Sequence, residues 1–508
     1  MHPSTPPTRL QPHHLDAVVH IFADVCLPSH SQPWHMHEQT AISSSGFLIA
    51  PHTILTTAHA ILSRLAVVRV KKRTTPQKYL ARVIDIAHDC DLALLTVDDT
   101  AFAAPFLPIP SGPLPALQQN VYVVGYPSGG HNICISAGVV SRIHIKRYEQ
   151  AKGMGYLLTV QVDAAINSGN SGGPALDTDN RVVGIAFESA AGSSAALENV
   201  GYLVPVSVIN HFLCDVEQHG RFRGFCDYGF MWQRMDSPAL RRYFTMSATD
   251  TGILVCDVKR TAPVSHILRR DDIITHIEDV AISNAGTVPV DFAEPLPFHY
   301  LISNKRPGDK ARLRVLRDGS PLRLEYKLCE ASEHVLVPVR ELRAQPEYYI
   351  IAGIVFVVLT IPYLEANFGV DWATRAPPRL AEITHNNRKE FKDQQVVVVA
   401  QVLSSEIILA DCAFHDSVVT KVNGTVPKNL NHLVSLVHEC KEAYVRLELD
   451  GDFVVVVDLE EAKVTAQDIM TRHAIPAEQS LGDLVKQSSS VAAAETTSAT
   501  ASQTVTPP

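Results

Sequence analysis

The chain has 508 residues, 46% of them hydrophobic, and its 53 acidic and 44 basic residues give a net charge of −9. At roughly 150 residues per domain, this length predicts about three domains. The hydrophobic content excludes a largely disordered chain. The acidic balance argues against a nucleic-acid-binding protein, which normally carries a basic face.

Nine cysteines are scattered singly along the chain, and no Cys-x-x-Cys pair occurs. The sequence therefore predicts neither a zinc site nor a dithiol motif, and we expect no metal and no cofactor. An odd, scattered set of cysteines is typical of reduced thiols in a reducing compartment. The first residues, MHPSTPPTRLQPHHLD, lack the charged head and apolar core of a secretory signal.

After an N-terminal extension (1–14), residues 15–215 contain short apolar runs such as GFLIA, HTILTT and LALLTV, separated by Gly, Pro, Asn and Asp. Such closely spaced runs are typical of an all-β sandwich or barrel and not of alternating strands and helices. Helical periodicity first occurs at Val206–His211, where we expect this domain to close.

A weak internal repeat follows the β-rich domain. The segment Ala311–Gly319 is echoed by Ala443–Gly451, and both end in Asp-Gly. Asp-Gly accepts the positive φ of a tight turn, so both segments predict β-hairpins. We infer two copies of one small module, at 220–330 and 331–475; chance similarity between β-rich segments is the alternative.

Two remaining segments differ sharply in composition. Tyr348–Leu364 has no charged residue. It is rich in Val and Ile and contains Gly353 and Pro362. It is short for a membrane span, so we predict buried strands instead. Residues 476–508 are rich in Ser, Thr and Ala towards their end and predict a disordered tail.

Ser171 lies in the run Gly169-Asn170-Ser171-Gly172-Gly173. By itself this run fits a tight turn, the nucleophile elbow of an α/β-hydrolase, or the nucleophile loop of a chymotrypsin-like protease. The hydrolase elbow requires the acid and the histidine to follow the serine within a βα pattern, and no such pattern surrounds Ser171.

Two residues upstream of Ser171 favour the protease. His59 follows the apolar run ILTTA, and Asp91 directly precedes the apolar run LALLT. The order His, Asp, Ser within one β-rich region predicts His59 as the base, Asp91 as its orienting carboxylate and Ser171 as the nucleophile. Asp89 is a possible alternative acid, whereas Asp163 is expected to organise a loop.

The glycines beside Ser171 allow backbone N–H groups to converge where the oxyanion of the reaction develops. We assign these two donors to Gly169 and Ser171.

Three blocks of the sequence resemble the catalytic blocks of the Do-like (HtrA/Deg) serine proteases: SSSGFLIAPHTILTTAHA, HDCDLALLTV and DAAINSGNSGGPAL. The plant and algal type with two PDZ domains is the most similar, over roughly residues 30–475. The resemblance implies a mainly β chain, with a chymotrypsin-like double β-barrel followed by two PDZ (α+β) domains. It also implies an ATP-independent endopeptidase that degrades unfolded or misfolded polypeptides and forms trimer-based homo-oligomers, commonly hexamers.

In such proteases a PDZ domain captures a C-terminal or internal peptide as an added strand. The resemblance places the carboxylate-binding loop at Tyr228-Gly229-Phe230-Met231 in the first module. In the second module the same position falls on Ala352-Gly353-Ile354-Val355, where a role in assembly alone is an equal alternative.

Two other functions are carried as alternatives: a catalytically silent PDZ chaperone or scaffold, and a lipase or esterase. An intact His, Asp and Ser set argues against the first. Plant-type relatives include nuclear and chloroplast members, and no basic targeting cluster stands out here. We expect an intracellular protein, in the nucleus or cytoplasm in preference to the mitochondrion or chloroplast.

Overall fold

A computed structural model describes residues 10–102, 109–148, 156–189, 200–339, 345–405, 407 and 414–481. The chain divides into two compact units. The first unit contains residues 1–27 and 38–334, and the second contains residues 28–37 and 335–508. The segment 28–37 therefore belongs to the second unit, although it lies in sequence between two strands of the first.

The first unit begins with helix α1 (Pro12–Asp16) and a closed barrel in the strand order β1-β2-β3-β6-β5-β4. Its strands are β1 (Val18–Val25), β2 (Thr40–Ala50), β3 (Thr53–Thr56), β4 (Val67–Lys72), β5 (Lys78–Ala87) and β6 (Leu92–Thr96). Alternate residues of β4 are buried, which is the pattern of a strand with one face on a core.

A second closed barrel follows, in the order β10-β11-β12-β9-β8-β7. Its strands are β7 (Asn120–Gly125), β8 (Cys134–Arg147), β9 (Tyr156–Val162), β10 (Pro174–Leu176), β11 (Val182–Ser189) and β12 (Gly201–Pro205). Helix α2 (Val206–His219) then closes this part of the chain and ends at Gly220, whose φ is +72°. One hydrophobic core includes buried residues of both barrels. The predicted double β-barrel is thus confirmed.

The rest of the first unit, residues 226–330, is called module 1 here. Its elements are β13 (Cys226–Asp227), β14 (Phe230–Arg234), α3 (Pro238–Tyr243), β15 (Ile253–Val258), β16 (Ile273–Ile277), β17 (Val280–Ala281), β18 (Thr287–Val288), β19 (Leu296–Pro297), α4 (His299–Ser303), β20 (Lys310–Arg317), β21 (Ser320–Lys327) and β22 (Cys329–Glu330). The main sheet has the order β14-β15-β16-β20-β21, so β14 is an edge strand. Asp318 and Gly319 form the turn of the β20–β21 hairpin, both with positive φ.

The second unit contains, from residue 345 onwards, what we call module 2. Its elements are β23 (Tyr348–Ile351), β24 (Ile354–Val358), α5 (Ile361–Phe368), α6 (Trp372–Arg375), α7 (Pro378–Asn386), β25 (Val397–Val402), β26 (Val419–Val422), α8 (Leu430–His438), β27 (Tyr444–Leu449), β28 (Val454–Asp458), α9 (Leu459–Arg472) and β29 (Gln479–Ser480). They form two sheets, β25-β24-β23-β29 and β26-β27-β28.

Three predictions can be compared with module 2. The apolar segment Tyr348–Leu364 forms β23, β24 and the start of α5, as buried strands were expected there. In the described ranges, no helix is both long and apolar enough to cross a membrane. Strand β29 lies inside the stretch predicted as a tail, because Gln479 and Tyr349 pair across β29 and β23. Residues 482–508 lie outside the described residues.

The cysteines are all free thiols in the described part of the chain, where eight of the nine are found. Cys412 lies outside it.

Candidate active site

His59 and Asp91 are in direct contact within the first barrel. His59 lies in a single 3₁₀ turn, Ala58–Ala60, that follows β3. Its Nδ1 is 2.6 Å from Oδ2 of Asp91, and its backbone N–H donates to Oδ1 at 2.8 Å. Asp91 is fully buried, whereas the His59 side chain is 22% exposed. The carboxylate is therefore fixed on both oxygens, while the imidazole is partly exposed at the surface.

Asp91 is placed by the short connection between β5 and β6. Ala87 pairs with Leu92 across this hairpin, and Asp91 has a φ of +56°, which Asp tolerates better than most residues. The backbone N–H of Ala58 donates to the Asp91 carbonyl at 3.1 Å, so the turn is tied to the residue before His59. The chain around Asp91 thus aims its carboxylate at one imidazole nitrogen.

The two other acids considered in the sequence lie elsewhere. Asp89 is half-buried, two residues before Asp91. Asp163 accepts a hydrogen bond from the backbone N–H of Val139 at 2.5 Å, in the second barrel. Asp163 therefore fastens a loop to β8, the kind of contact that its position predicted.

Ser171 lies in the loop between β9 and β10 of the second barrel. The carbonyl of Ser171 accepts a hydrogen bond from the backbone N–H of Ser45 in β2, at 2.9 Å. The next residue, Gly172, has a φ of +86°, and a Cβ there would lie 2.1 Å from the Ser45 carbonyl and 2.4 Å from Oγ1 of Thr56. Thr56 ends β3, three residues before His59. The fold therefore brings the Ser171 loop to the strand end that leads to His59.

The backbone around Ser171 has two N–H groups for which the described residues supply no acceptor. The carbonyl of Ser168 accepts from the N–H of Ser128 at 2.7 Å, and the carbonyl of Asn170 accepts from the N–H of Gly173 at 2.9 Å. In a trans peptide the N–H points opposite to the C=O. The N–H groups of Gly169 and Ser171 are thus turned away from these bonds, and neither donates a hydrogen bond to another described residue.

Three residues of this site were missed by reasoning from the sequence: Ser45, Thr56 and Ser128. The hydroxyl of Ser45 donates to the Gly169 carbonyl at 2.7 Å, and that of Thr56 donates to the Ser45 carbonyl at 2.7 Å. Ser45 and Thr56 stand in the same sequence block as His59, and Ser128 stands in the run VGYPSGG. These residues contact a loop that lies 40 to 124 positions away in the sequence, and no local sequence pattern predicts such contacts.

The loop Tyr228-Gly229-Phe230-Met231 leads into the edge strand β14 of module 1. Gly229 has a φ of +81°, and its carbonyl accepts from the N–H of Lys259 at 2.9 Å. The Tyr228 ring stacks on His299 of α4, with 5.0 Å between the ring centroids. Burial lowers the pKa of His299 to about 4, so this imidazole is neutral near pH 7.

In module 2, Ala352 and Gly353 form the turn between β23 and β24, with φ values of +52° and +89°. Strand β24 pairs with β23 on one side and with β25 on the other. The strand that follows this loop is therefore a central strand, whereas β14 is the end strand of its sheet in the described residues.

A search of the described residues finds no group of three or more His, Cys, Asp or Glu side chains that could hold a metal ion. The chemistry available at His59, Asp91 and Ser171 is that of a nucleophilic hydroxyl beside a base, which needs no cofactor.

Two known families match the chain. The trypsin-like peptidase domain matches residues 44–185, which include His59, Asp91 and Ser171. The PDZ domain matches residues 337–482. This match falls on the second predicted PDZ domain, whereas the first, at 220–330, stays a prediction.

Several curated proteins of Arabidopsis thaliana are similar over most of the chain. "Putative protease Do-like 3, mitochondrial" is 38% identical over 91% of this chain and 79% of its own length. "Protease Do-like 2, chloroplastic" is 36% identical over 92% of this chain and 75% of its own length. "Protease Do-like 4, mitochondrial" is 37% identical over 91% of this chain and 84% of its own length.

Among solved structures, the "HtrA-type protease AlgW with decapeptide" aligns with a TM-score of 0.48, at 20% identity, over 62% of this chain and 96% of that chain. Identity above 30% over at least 91% of this chain and at least 75% of each of these three relatives settles the family. The chain belongs to the Do-like proteases and is a serine endopeptidase with a double β-barrel peptidase domain and a C-terminal PDZ domain.

Proposed function

We propose that Ser171, His59 and Asp91 form the catalytic triad of this endopeptidase. The observation that carries the assignment is the 2.6 Å contact between His59 Nδ1 and the buried carboxylate of Asp91. A carboxylate accepts but does not donate, so the imidazole proton resides on Nδ1 and the lone pair is left on Nε2. That tautomer is the one that can take a proton from a serine hydroxyl.

The reaction then follows from the roles of the three side chains. Ser171 Oγ attacks the carbonyl carbon of the scissile peptide while His59 Nε2 takes the hydroxyl proton. His59 returns this proton to the leaving amine, which departs and leaves an acyl ester on Ser171. Water, deprotonated by His59, hydrolyses the ester. Asp91 stabilises the imidazolium that forms in each half of the cycle.

The N–H groups of Gly169 and Ser171 would stabilise the oxyanion of the tetrahedral intermediates. Support comes from their lack of any acceptor among the described residues and from the two carbonyl contacts that turn them outward. Loss of one such donor in other proteases reduces the rate on the order of 10²–10³-fold.

The triad is tested with Ser171→Ala. Wild type should cleave casein and react with a fluorophosphonate probe, whereas the variant should do neither, because the probe forms a bond to the same oxygen. Running both proteins with and without an unfolded substrate also shows whether the resting enzyme is active. Cleavage of casein by Ser171→Ala at the wild-type rate would contradict the assignment. Chaperone activity without cleavage in wild type would instead support the silent scaffold.

We propose unfolded or misfolded polypeptides as substrates, degraded without ATP, and module 1 as the PDZ domain that captures them. The supporting feature is the position of β14 at one end of the described sheet order β14-β15-β16-β20-β21, where the loop Tyr228-Gly229-Phe230-Met231 runs into it. An extended peptide can add to such an edge through backbone hydrogen bonds, with its carboxylate at the preceding glycine loop.

Peptide capture by module 1 is tested by titrating the full-length Ser171→Ala chain with a peptide that ends in a free carboxylate. Gly229→Ala should weaken binding, because a Cβ at Gly229 would lie 2.7 Å from Cβ of Ala262. Gly308→Ala is the matched control: its φ is also positive, at +98°, but nothing lies within 4 Å of the added atom. Equal affinities for the two variants would contradict a peptide site at this loop.

Module 2 is proposed to serve assembly and not peptide capture. Both edges of β24 are paired, so the loop Ala352-Gly353-Ile354-Val355 has no adjacent open strand edge for a peptide. We also propose a trimer-based homo-oligomer, since similar proteases form trimer-based oligomers and commonly hexamers. Light scattering of the full chain, with and without residues 335–508, measures the oligomer size.

The compartment is also a proposal. Three relatives carry mitochondrial or chloroplastic names, and none of these three names gives the nucleus or cytoplasm. The earlier preference for the nucleus or cytoplasm has no support, and we propose an organelle instead. Fluorescence imaging of the chain with a fluorescent protein fused to its C-terminus, expressed in the source cells, distinguishes an organelle from the nucleus or cytoplasm.

A further inference from the structure

Ser45 makes four hydrogen bonds around the nucleophile loop. Its hydroxyl donates to the Gly169 carbonyl at 2.7 Å and accepts from the backbone N–H of Tyr126 at 2.7 Å. Its backbone N–H donates to the Ser171 carbonyl, and its carbonyl accepts from Oγ1 of Thr56. Ser45 is fully buried. One residue of the first barrel thus contacts both residues that supply the proposed oxyanion donors.

The Gly169–Asn170 peptide is the part of the loop whose carbonyl is held by a side chain; its N–H, that of Asn170, donates to the Asn167 carbonyl at 2.9 Å. The flanking carbonyls of Ser168 and Asn170 are held by backbone N–H groups, whereas the Gly169 carbonyl is held by the Ser45 hydroxyl. Gly169 has a φ of +94°, in a region where glycine moves with little hindrance. A rotation of this peptide changes the direction of its neighbours, and with it the aim of the two N–H donors.

The position of Ser45 leaves little room for other arrangements. A Cβ at Gly125 would lie 2.7 Å from the Ser45 hydroxyl, and a Cβ at Gly172 would lie 2.1 Å from the Ser45 carbonyl. Without the hydroxyl, the Gly169 carbonyl and the Tyr126 N–H are two buried groups with no partner, which is unfavourable. Rotation of the Gly169–Asn170 peptide would give the Gly169 carbonyl a new partner, but it would also turn the N–H groups of Gly169 and Ser171 away from the oxyanion.

We propose that Ser45 is a positioning residue for catalysis: its hydroxyl holds the Gly169–Asn170 peptide so that the N–H groups of Gly169 and Ser171 face the reacting carbonyl oxygen. The proposal rests on the oxyanion roles given to Gly169 and Ser171 above. Ser45 does not touch the substrate and acts through the loop alone.

The test compares Ser45→Ala with Ser44→Ala. Ser44 is the matched control because it is the neighbouring residue of the same strand, is also buried, and has a hydroxyl with no hydrogen-bond partner among the described residues. With kcat calculated per titrated active site, Ser45→Ala should lower kcat about 10–10²-fold and change KM less than about twofold. The reason is that a misdirected N–H donor loses more binding energy to the transition state than to the bound substrate. Ser44→Ala should retain the wild-type kcat.

Two further readouts separate positioning from a merely structural role. The pH midpoint of kcat/KM should stay unchanged in Ser45→Ala, because the His59–Asp91 pair is intact. A peptidyl trifluoromethyl ketone, which forms a tetrahedral oxyanion on the serine, should lose affinity by the same factor as kcat, whereas a product peptide should not. A uniform loss of both affinities, or a kcat equal to that of Ser44→Ala, would overturn the proposal.

If Ser45→Ala does not fold, the isosteric pair Ser45→Thr and Ser45→Val replaces it. Both add the same volume, and only Thr keeps the hydroxyl, so Thr should exceed Val in kcat by about tenfold or more; equal values would overturn the proposal. Ser171→Ala distinguishes the two levels of inference. If it is inactive while Ser45→Ala resembles wild type, only the role of Ser45 is wrong. If Ser171→Ala is active, the proposed triad is wrong.

Discussion

The two barrels hold their parts of the active site by different means. In the first barrel, His59 and Asp91 are 32 residues apart and bond directly, with a further bond from Ala58. In the second barrel, the Ser171 loop has bonds within its own barrel, and Ser45 of the first barrel adds bonds to the carbonyls of Gly169 and Ser171. The acid–base pair is therefore complete within one barrel, whereas the nucleophile depends on contacts between the two.

This difference indicates which half of the site responds to a change in barrel packing. A small shift between the barrels leaves the His59–Asp91 distance unchanged but alters the bonds from Ser45 to Gly169 and Ser171. The enzyme can thus lose its oxyanion donors while its base stays in place. Variants in each barrel test this division.

The largest effect is expected in the first barrel, from Asp91→Asn. An asparagine oxygen can still accept from the His59 backbone N–H, but its amide group then donates to Nδ1 and forces the proton onto Nε2. A histidine in that tautomer cannot accept the serine proton, so kcat should fall about 10⁴-fold at neutral pH.

Asp89→Asn is the control for Asp91→Asn, since Asp89 is the other acid of the same turn. Peptide hydrolysis measured with titrated active sites gives the comparison. If Asp89→Asn lost more activity than Asp91→Asn, the choice of Asp91 would be wrong.

In the second barrel, the strongest variant is Gly172→Ala. The added Cβ would lie 2.1 Å from the Ser45 carbonyl and 2.4 Å from Oγ1 of Thr56, so the loop or β2 has to move. We expect kcat/KM to fall at least ~10²-fold, because this displacement reaches the Ser171 N–H donor directly.

Gly129→Ala has nearly the same backbone strain, with a φ of +88°, but nothing within 4 Å of its added atom. It therefore separates strain from collision, and it should keep most of the activity in the same peptide assay. Similar losses in Gly129→Ala and Gly172→Ala would show that contact with the first barrel is not what fixes the loop.

The parts of the proposed site that depend on local pattern could be proposed from the sequence. His59 and Asp91 each border an apolar strand, and Ser171 stands in a glycine-rich loop, so residue type and order were enough to propose them. The role of Ser45 could not be found in this way, because its hydroxyl meets a carbonyl 124 positions away. A serine in a strand has many possible partners, and only the closed barrels select one.

The two modules show the same limit at the level of the fold. Their similar hairpins predicted two copies of one module, but strand order is a property of long-range pairing. Strand β14 is at an edge, whereas β24 lies between β23 and β25. A loop that is matched by sequence position alone can therefore lead to an end strand of the sheet in one module and to a central strand in the other.

The smallest effect at neutral pH is expected from His20, which probes the packing between the barrels. His20 lies in β1 and stacks on Tyr126 of the second barrel, with 4.7 Å between ring centroids and 4° between ring planes. Its Nε2 is 2.7 Å from the Ser43 hydroxyl, and its buried Nδ1 has no hydrogen-bond partner in the described ranges. Tyr126 is the same residue whose N–H donates to Ser45.

Burial lowers the pKa of His20 from 6.5 to about 4, and the nearby His131, Lys71 and Lys78 act in the same direction. Because the unfolded chain binds this proton at a higher pH than the folded chain, the contribution of neutral His20 is complete above about pH 6.5 and is lost as the pH falls towards 4. The loss amounts to about 3 kcal/mol. Thermal unfolding between pH 7 and 4 should therefore show a shallower decline for His20→Gln than for wild type, whatever its Tm at pH 7. Parallel declines would mean that protonation of His20 does not contribute to the loss of stability in acid.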